Sequence, residues 1–350
     1  MRRTRALHAL TATALSAALV ALGSGAAHAA PHSPVARPVP AHVAAPYVET
    51  WTGQSPAALA ADSGNKYLTL AFLQAPEAGS CTADWNGDPT RPVDPSVLGA
   101  DIAALRARGG GAIPSFGGYS ADTTGTELAD SCTDVHAIAG VYEKLATTYG
   151  ISRIDLDVEA DSLANTAGID RRNKAVAEAE RWAGRTGRPL QFSYTLPTTT
   201  KGLEADGLAV LQNAVANHAR VDVVNIMTFD YYDGAAHDMA ADTQTAAEGL
   251  YAQLHALHPH QSPRQLWGTV GVTEMPGIDD YGPAETFTTG NGAQVARWAA
   301  AQGIDTLSFW ALQRDNGTCV GTGGSDSCSG IPQDPWYFSH TFARFTGARR

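Results

Sequence analysis

The stretch "GISRIDLDVEAD", residues 150–161, places Asp155, Asp157 and Glu159 at every second position, with Ile154, Leu156 and Val158 between them. In an extended strand, residues two apart point to the same side and lie about 6.6 Å from one another. One face of this strand is therefore a ladder of three acids, and the other is aliphatic. In an antiparallel sheet with one wet face, such a ladder would simply meet solvent. In a sheet covered on both faces it would bury like charges, at roughly several kcal/mol each unless they share protons or find partners. The rest of the chain decides between these settings.

Further β-rich runs fall at 46–51, 67–73, 111–116, 190–196, 221–229, 266–272 and 305–312, which with 153–159 makes eight. Between them lie stretches with apolar residues three and four apart, such as "VHAIAGVYEKLATTYG" and "NGAQVARWAAAQG", several closed by Gly as helices commonly are. Strands alternating with helices predict a parallel sheet, and eight such units close into a (β/α)8 TIM barrel, an α/β fold, in a single domain. An open doubly wound sheet is the competing arrangement, but no GxGxxG or phosphate loop follows an early strand.

Barrel context turns the aliphatic face of 153–159 toward the helices and the acids toward the interior. Glu159 then lies at the C-terminal end of its strand, where barrel enzymes carry out chemistry. Carboxylates this close cannot all ionise, so a proton is expected to be shared within the Asp155/Asp157 pair. Glu159, with a raised pKa, is expected to serve as a general acid.

The ends of the chain read differently. Arg2, Arg3 and Arg5 precede an apolar run from Ala14 to Leu22 and small residues through Ala29, the pattern of a secretory signal peptide over 1–29. The run is shorter than the roughly 20 apolar residues of a membrane span, so the mature protein is expected to be secreted and extracellular, without a membrane partner. Residues 30–45, rich in Pro and Ala, read as a linker or unstructured N-terminus, which leaves 46–348 for the catalytic barrel. A formal charge of −11 argues against a nucleic-acid surface. The four cysteines suit an exported protein. Cys319 and Cys328 are close in sequence, leaving Cys81 to pair with Cys132, although four cysteines allow three pairings. A zinc site is the alternative, and no CxxC or His-rich spacing supports it.

With these residues in view, the chain resembles glycoside hydrolase family 18, the chitinase family. The end of its fourth-strand signature, DxxDxDxE, is matched by Asp155-Leu156-Asp157-Val158-Glu159, while Ser152 and Arg153 replace the leading Asp and the Gly that often follows it. Ser115-Phe116-Gly117-Gly118 is similar to the SxGG of strand three, and Met227-Thr228-Phe229-Asp230 to the MxYD of strand six. Trp310 falls where strand eight carries the tryptophan beneath the sugar. "FSYTLP", "GVTEMPGIDD" and "SFWALQRD" further resemble a bacterial and archaeal branch of these enzymes. Phe229 stands where many members have a Tyr that contacts the acetamido group. The resemblance passes that task to Tyr194 with Asp230, or to Tyr231.

The resemblance implies a chitinase acting without cofactor or metal on chitin or N-acetylglucosamine oligomers, and a monomer is expected. It also implies substrate-assisted, retaining hydrolysis, in which the sugar's acetamido oxygen replaces the protein nucleophile. Glu159 would be acid and then base, Asp157 would hold the acetamido group, and Asp155 would store the shared proton. Ser115, Gly117, Tyr194, Met227, Asp230, Tyr231 and Trp310 would shape the sugar site, whereas Trp51, Trp85 and Trp267 read as mostly structural. The alternatives are an endo-β-N-acetylglucosaminidase acting on N-glycans, a chitin-binding lectin, which the presence of Glu159 disfavours, and a conventional glycosidase with Asp230 as nucleophile.

Overall fold

Pro46 interrupts the first strand, and the interruption is where the sheet closes. Lacking an N–H, proline cannot continue a ladder of donors. On its N-terminal side Val43 N and Ala45 N donate to the carbonyls of Asp305 and Leu307 at 2.9 and 3.2 Å, in the last strand. The Pro46 carbonyl and Thr50 N instead pair with Thr69 N and the Ala71 carbonyl, in the second. One segment, 43–49, thus bonds both ends of the sheet, and the barrel has no free edge.

The computed structural model describes residues 37–347, so the expected signal peptide and the start of the linker lie outside the described residues. The barrel strands after 43–49 are Tyr67–Gln74, Gly111–Gly117, Arg153–Asp157, Gln191–Pro197, Val223–Met227, Val270–Glu274 and Thr306–Phe309, each parallel to its neighbours. This is the eight-stranded barrel expected, in one compact unit. Helices between strands use local signals: Asp134 caps Val135–Tyr149, Asn165 caps Thr166–Thr186, and Gly150 and Gly187 close them in the left-handed conformation.

The strands expected at 153–159, 221–229 and 305–312 end sooner, at Asp157, Met227 and Phe309, and two further boundaries differ from expectation. The Pro/Ala-rich stretch joins the barrel before residue 46, because Val43, Ala44 and Ala45 are buried in its wall. The expected strand at 266–272 begins as a helix, Pro263–Trp267; Ser262 and Gln265 form a capping box with Pro at the first helical position, and this overrides the apolar run. The strand starts only at Val270.

Inside the barrel, side chains stack in layers. Arg153 pairs with Asp305 at 2.7 Å in the lowest one, Asp155 lies above it, and Asp157 above that. Ile154 and Leu156 face the helices, as the alternation requires. Disulfides join Cys81 to Cys132 and Cys319 to Cys328, the expected pairing, which removes all four as zinc ligands.

Candidate active site

At the C-terminal end of the strands opens a cleft of about 880 Å³, lined by Asp157, Glu159, Met227, Asp230 and Trp310 among others. Ser115, Tyr194 and Tyr231, expected at the sugar site, do not line this cleft, and Trp51, expected to be structural, does.

Asp155 is wrapped by hydroxyls. Ser193 and Thr195 donate to Oδ1 at 2.6 and 2.8 Å, and Ser115 and Tyr47 donate to Oδ2 at 2.7 and 2.9 Å. Asn225 Nδ2 donates to Thr195 Oγ1 at 3.0 Å, leaving the threonine proton for Asp155. A carboxylate has about four lone-pair sites, and all four are filled here by donors, an arrangement that favours the anion. Burial raises the Asp155 pKa, and the four hydroxyls oppose that rise.

Asp157 lacks such a cage. Its Oδ1 is buried without a hydrogen-bond partner. Burial, then the neighbouring Glu159, Asp155 and Asp122, push its carboxyl well above the usual range. Hydrogen-bond donors fill the lone pairs of Asp155 and none reaches Asp157 Oδ1, so the geometry favours the shared proton on Asp157, where the expectation assigned it to Asp155.

Glu159 lies two residues beyond the strand, extended at φ −132° and ψ 177°, immediately before the helix Ala160–Ala164. Burial lifts its pKa to about 7 against the opposing backbone N–H of Tyr119, and Asp230 adds a like charge. A carboxyl poised there can hold a proton near neutral pH and release it.

The Ser-Phe-Gly-Gly segment serves these acids from the adjacent strand. Ser115 is fully buried and meets Asp155, not a ligand. At Gly117, φ is +93° and a Cβ would lie 2.0 Å from the Asp157 carbonyl, so only glycine fits. Gly118 N donates to that carbonyl at 3.2 Å. Gly117 lines the cleft through its backbone.

Tyr194 does not reach the cleft. Register pairs Ser193 with Asp155 and Leu156 with Tyr194, so Tyr194 takes the outward face, where its hydroxyl donates to Asn173 Oδ1 at 3.0 Å on the helix Thr166–Thr186. Tyr231 is also turned away: its ring lies 5.0 Å from that of His237, and its hydroxyl is buried. Phe229 and the exposed Tyr232 line the cleft instead. Asp230 has a left-handed φ of +51°, and this turn is held from below. Glu285 accepts Tyr231 N and Tyr232 N at 2.8 and 3.1 Å, and Asp279 accepts Asp230 N at 3.3 Å. Burial and then Asp280 raise Asp230 to about 7.

The aromatic wall was only partly foreseen. Trp310 stacks on Phe72 at 5.5 Å and 13°, and Phe72 on Trp51 at 6.2 Å and 22°. Trp51, 47% exposed, is thus a cleft residue and not a structural one. Trp85 is buried and donates to the Tyr149 hydroxyl, and Trp267 stacks on Tyr251, so both are structural as expected. Tyr47, Phe72, Tyr119 and Asp122 carried no sequence signal beyond their residue type.

No family model matches the chain. It is 31% identical over 323 residues to a probable bifunctional chitinase/lysozyme of Escherichia coli (strain K12), covering 88% of this chain and 35% of that protein. It is 30% identical over 289 residues to Endochitinase 11 of Metarhizium anisopliae, covering 79% of this chain and 53% of that one. The chain therefore spans about a third and about half the length of these curated relatives. Among solved structures, the catalytic domain of a hyperthermophilic chitinase from Pyrococcus furiosus aligns with a TM-score of 0.77 at 29% identity, over 89% of this chain and 97% of that one. The chain resembles chitinases in sequence and in fold. A GH18 chitinase from Pseudoalteromonas aurantia, at 14% identity and a TM-score of 0.52, shares the fold alone.

Proposed function

We propose that this protein is a glycoside hydrolase of family 18, a secreted chitinase that cleaves β-1,4-linked N-acetylglucosamine chains with retention through substrate assistance. The observation that carries this reading is the division of labour along one strand. Asp155 is a caged anion beneath the site, Asp157 is a protonated neighbour with a free Oδ1, and Glu159 is an acid poised at about 7, the last two lining an aromatic-walled cleft. The similarity to chitinases over most of the chain supports it.

The chemistry follows from these positions. The unpartnered Asp157 Oδ1 accepts the acetamido N–H of the sugar whose bond is to break, turning the acetamido oxygen toward that sugar's anomeric carbon. Glu159 gives its proton to the glycosidic oxygen; the C–O bond breaks as the acetamido oxygen bonds to carbon, forming an oxazolinium ring. Negative charge on the acids offsets the positive ring, a preorganised electrostatic stabilisation. Water then attacks the same carbon from the vacated side and passes a proton to the Glu159 carboxylate, and the ring reopens to the acetamide. Two inversions give net retention.

Export is supported by the N-terminal pattern and by two disulfides, which persist in oxidising compartments.

Product analysis on chitin oligomers of defined length, beside a high-mannose glycoprotein, tests the substrate. Cleavage of the oligomers is the expected result, and release of glycan without chitin cleavage would overturn it.

A further inference from the structure

Asp122 lies behind the acid ladder and has no part in the steps above. It belongs to the short helix Tyr119–Thr124, which follows Gly117 and Gly118 directly. It is 1% exposed, and its Oδ2 accepts the backbone N–H of Glu159 at 2.5 Å while Oδ1 has no partner.

The backbone it grips is unusual. Glu159 is extended, but Ala160, the next residue, has φ +41°, in the left-handed region that a residue with a Cβ seldom enters. Such a conformation persists only where its surroundings hold it. Ser162 N secures the carbonyl of Glu159 at 3.0 Å, and Asp122 secures its N–H. Removing one anchor frees the peptide that aims the Glu159 side chain.

We propose that Asp122 is a positioning residue for the general acid: it fixes the Glu159 backbone so that the carboxyl enters the cleft. The identification of Glu159 as the acid rests on the function proposed above. Around Asp122 stand Glu127, Arg172, Glu159 and Asp157. Arg172 pairs with Glu127 at 2.7 Å and lies 3.8 Å from Asp130, and its charge partly opposes the rise of the Asp122 carboxyl. Burial, with Glu127 adding a like charge, lifts its carboxyl to about 8. Glu159 is faced in addition by the Tyr119 N–H and Asp230. Glu159, at about 7, ionises before Asp122, at about 8, so Asp122 acts on the acid through the hydrogen bond to its backbone and not through charge.

Two variants test the anchor. D122N keeps an oxygen to accept the Glu159 N–H, and D122A removes it. NMR of the Glu159 backbone amide reads the hydrogen bond without requiring turnover: its proton should move upfield in D122A and stay near the parental position in D122N. On a chitin tetrasaccharide, D122A should lose about 10- to 100-fold in kcat with KM little changed, as expected of a misaimed acid, and D122N should recover most of that loss. A parental amide position or a parental kcat in a folded D122A overturns the proposal. If D122A does not fold, D122S, whose oxygen falls short of the amide, takes its place. If the parent protein fails to cleave chitin oligomers, the proposed function falls, while the amide position still tests Asp122.

Discussion

The Tyr47 hydroxyl, on the strand that closes the barrel, donates to Asp155 Oδ2 at 2.9 Å. It is one of four donors that keep Asp155 charged, and the only one from the N-terminal segment. A hydrogen bond to a charged group contributes about 1.5 to 3 kcal/mol. Y47F should therefore lower kcat about tenfold or more. With one donor lost, the Asp155 pKa rises, so the acid limb of the pH–rate profile should move to higher pH. A Y47F profile identical to the parent's would remove the charged Asp155 from the mechanism.

Activity should fall as pH rises above about 7, the value to which burial lifts Glu159. The sign is set by the role: a general acid works while protonated, and a raised carboxyl keeps its proton below that value and loses it above. Measuring kcat/KM against pH on a soluble chitin oligomer checks this. A rate that climbs steadily to pH 9 would exclude Glu159 as the acid.

Stability should have its own pH dependence. Glu274 is fully buried, accepts Thr243 Oγ1 at 2.9 Å and has its pKa raised by burial to about 8. A carboxyl raised in the folded state stabilises most below its unfolded value, near 4.5, and that contribution is lost as pH rises through 8. Tm should decline between pH 5 and pH 8.5, and E274Q should flatten the decline. An E274Q variant with the parental slope would contradict the assignment.

The two disulfides should contribute unequally. Closing a loop across 51 residues constrains the unfolded chain by about 4 kcal/mol, and one across 9 residues by about 3 kcal/mol. Replacing Cys81 and Cys132 with Ser should thus lower Tm more than replacing Cys319 and Cys328. The reverse order would show that the shorter bridge matters through the folded state.

The acid ladder and the barrel were legible because both are periodic. Asp155, Asp157 and Glu159 announce their shared face by spacing alone, and strand–helix alternation announces the parallel sheet. Tyr194 was misplaced because its strand, "FSYTLP", carries hydroxyls on both faces. Pairing Ser193 with Asp155 settles which face is inside, and pairing is a long-range fact. Tyr231 and Tyr232 lie in a loop, where no period predicts direction. Tyr47, Asp122 and Glu285 act through contacts distant in sequence, so a local reading does not reach them. The left-handed Ala160 is equally silent, since alanine gives no hint of positive φ.

Substrate assistance stands or falls on the acetamido group. The direct measurement compares hydrolysis of a chitobioside reporter with that of the matching cellobioside, which differs in lacking the N-acetyl group. With Asp157 orienting an acetamido nucleophile, the chitobioside should be cleaved and the cellobioside left intact. Cleavage of the two at similar rates would mean that a protein carboxylate, with Asp230 the first candidate, is the nucleophile instead.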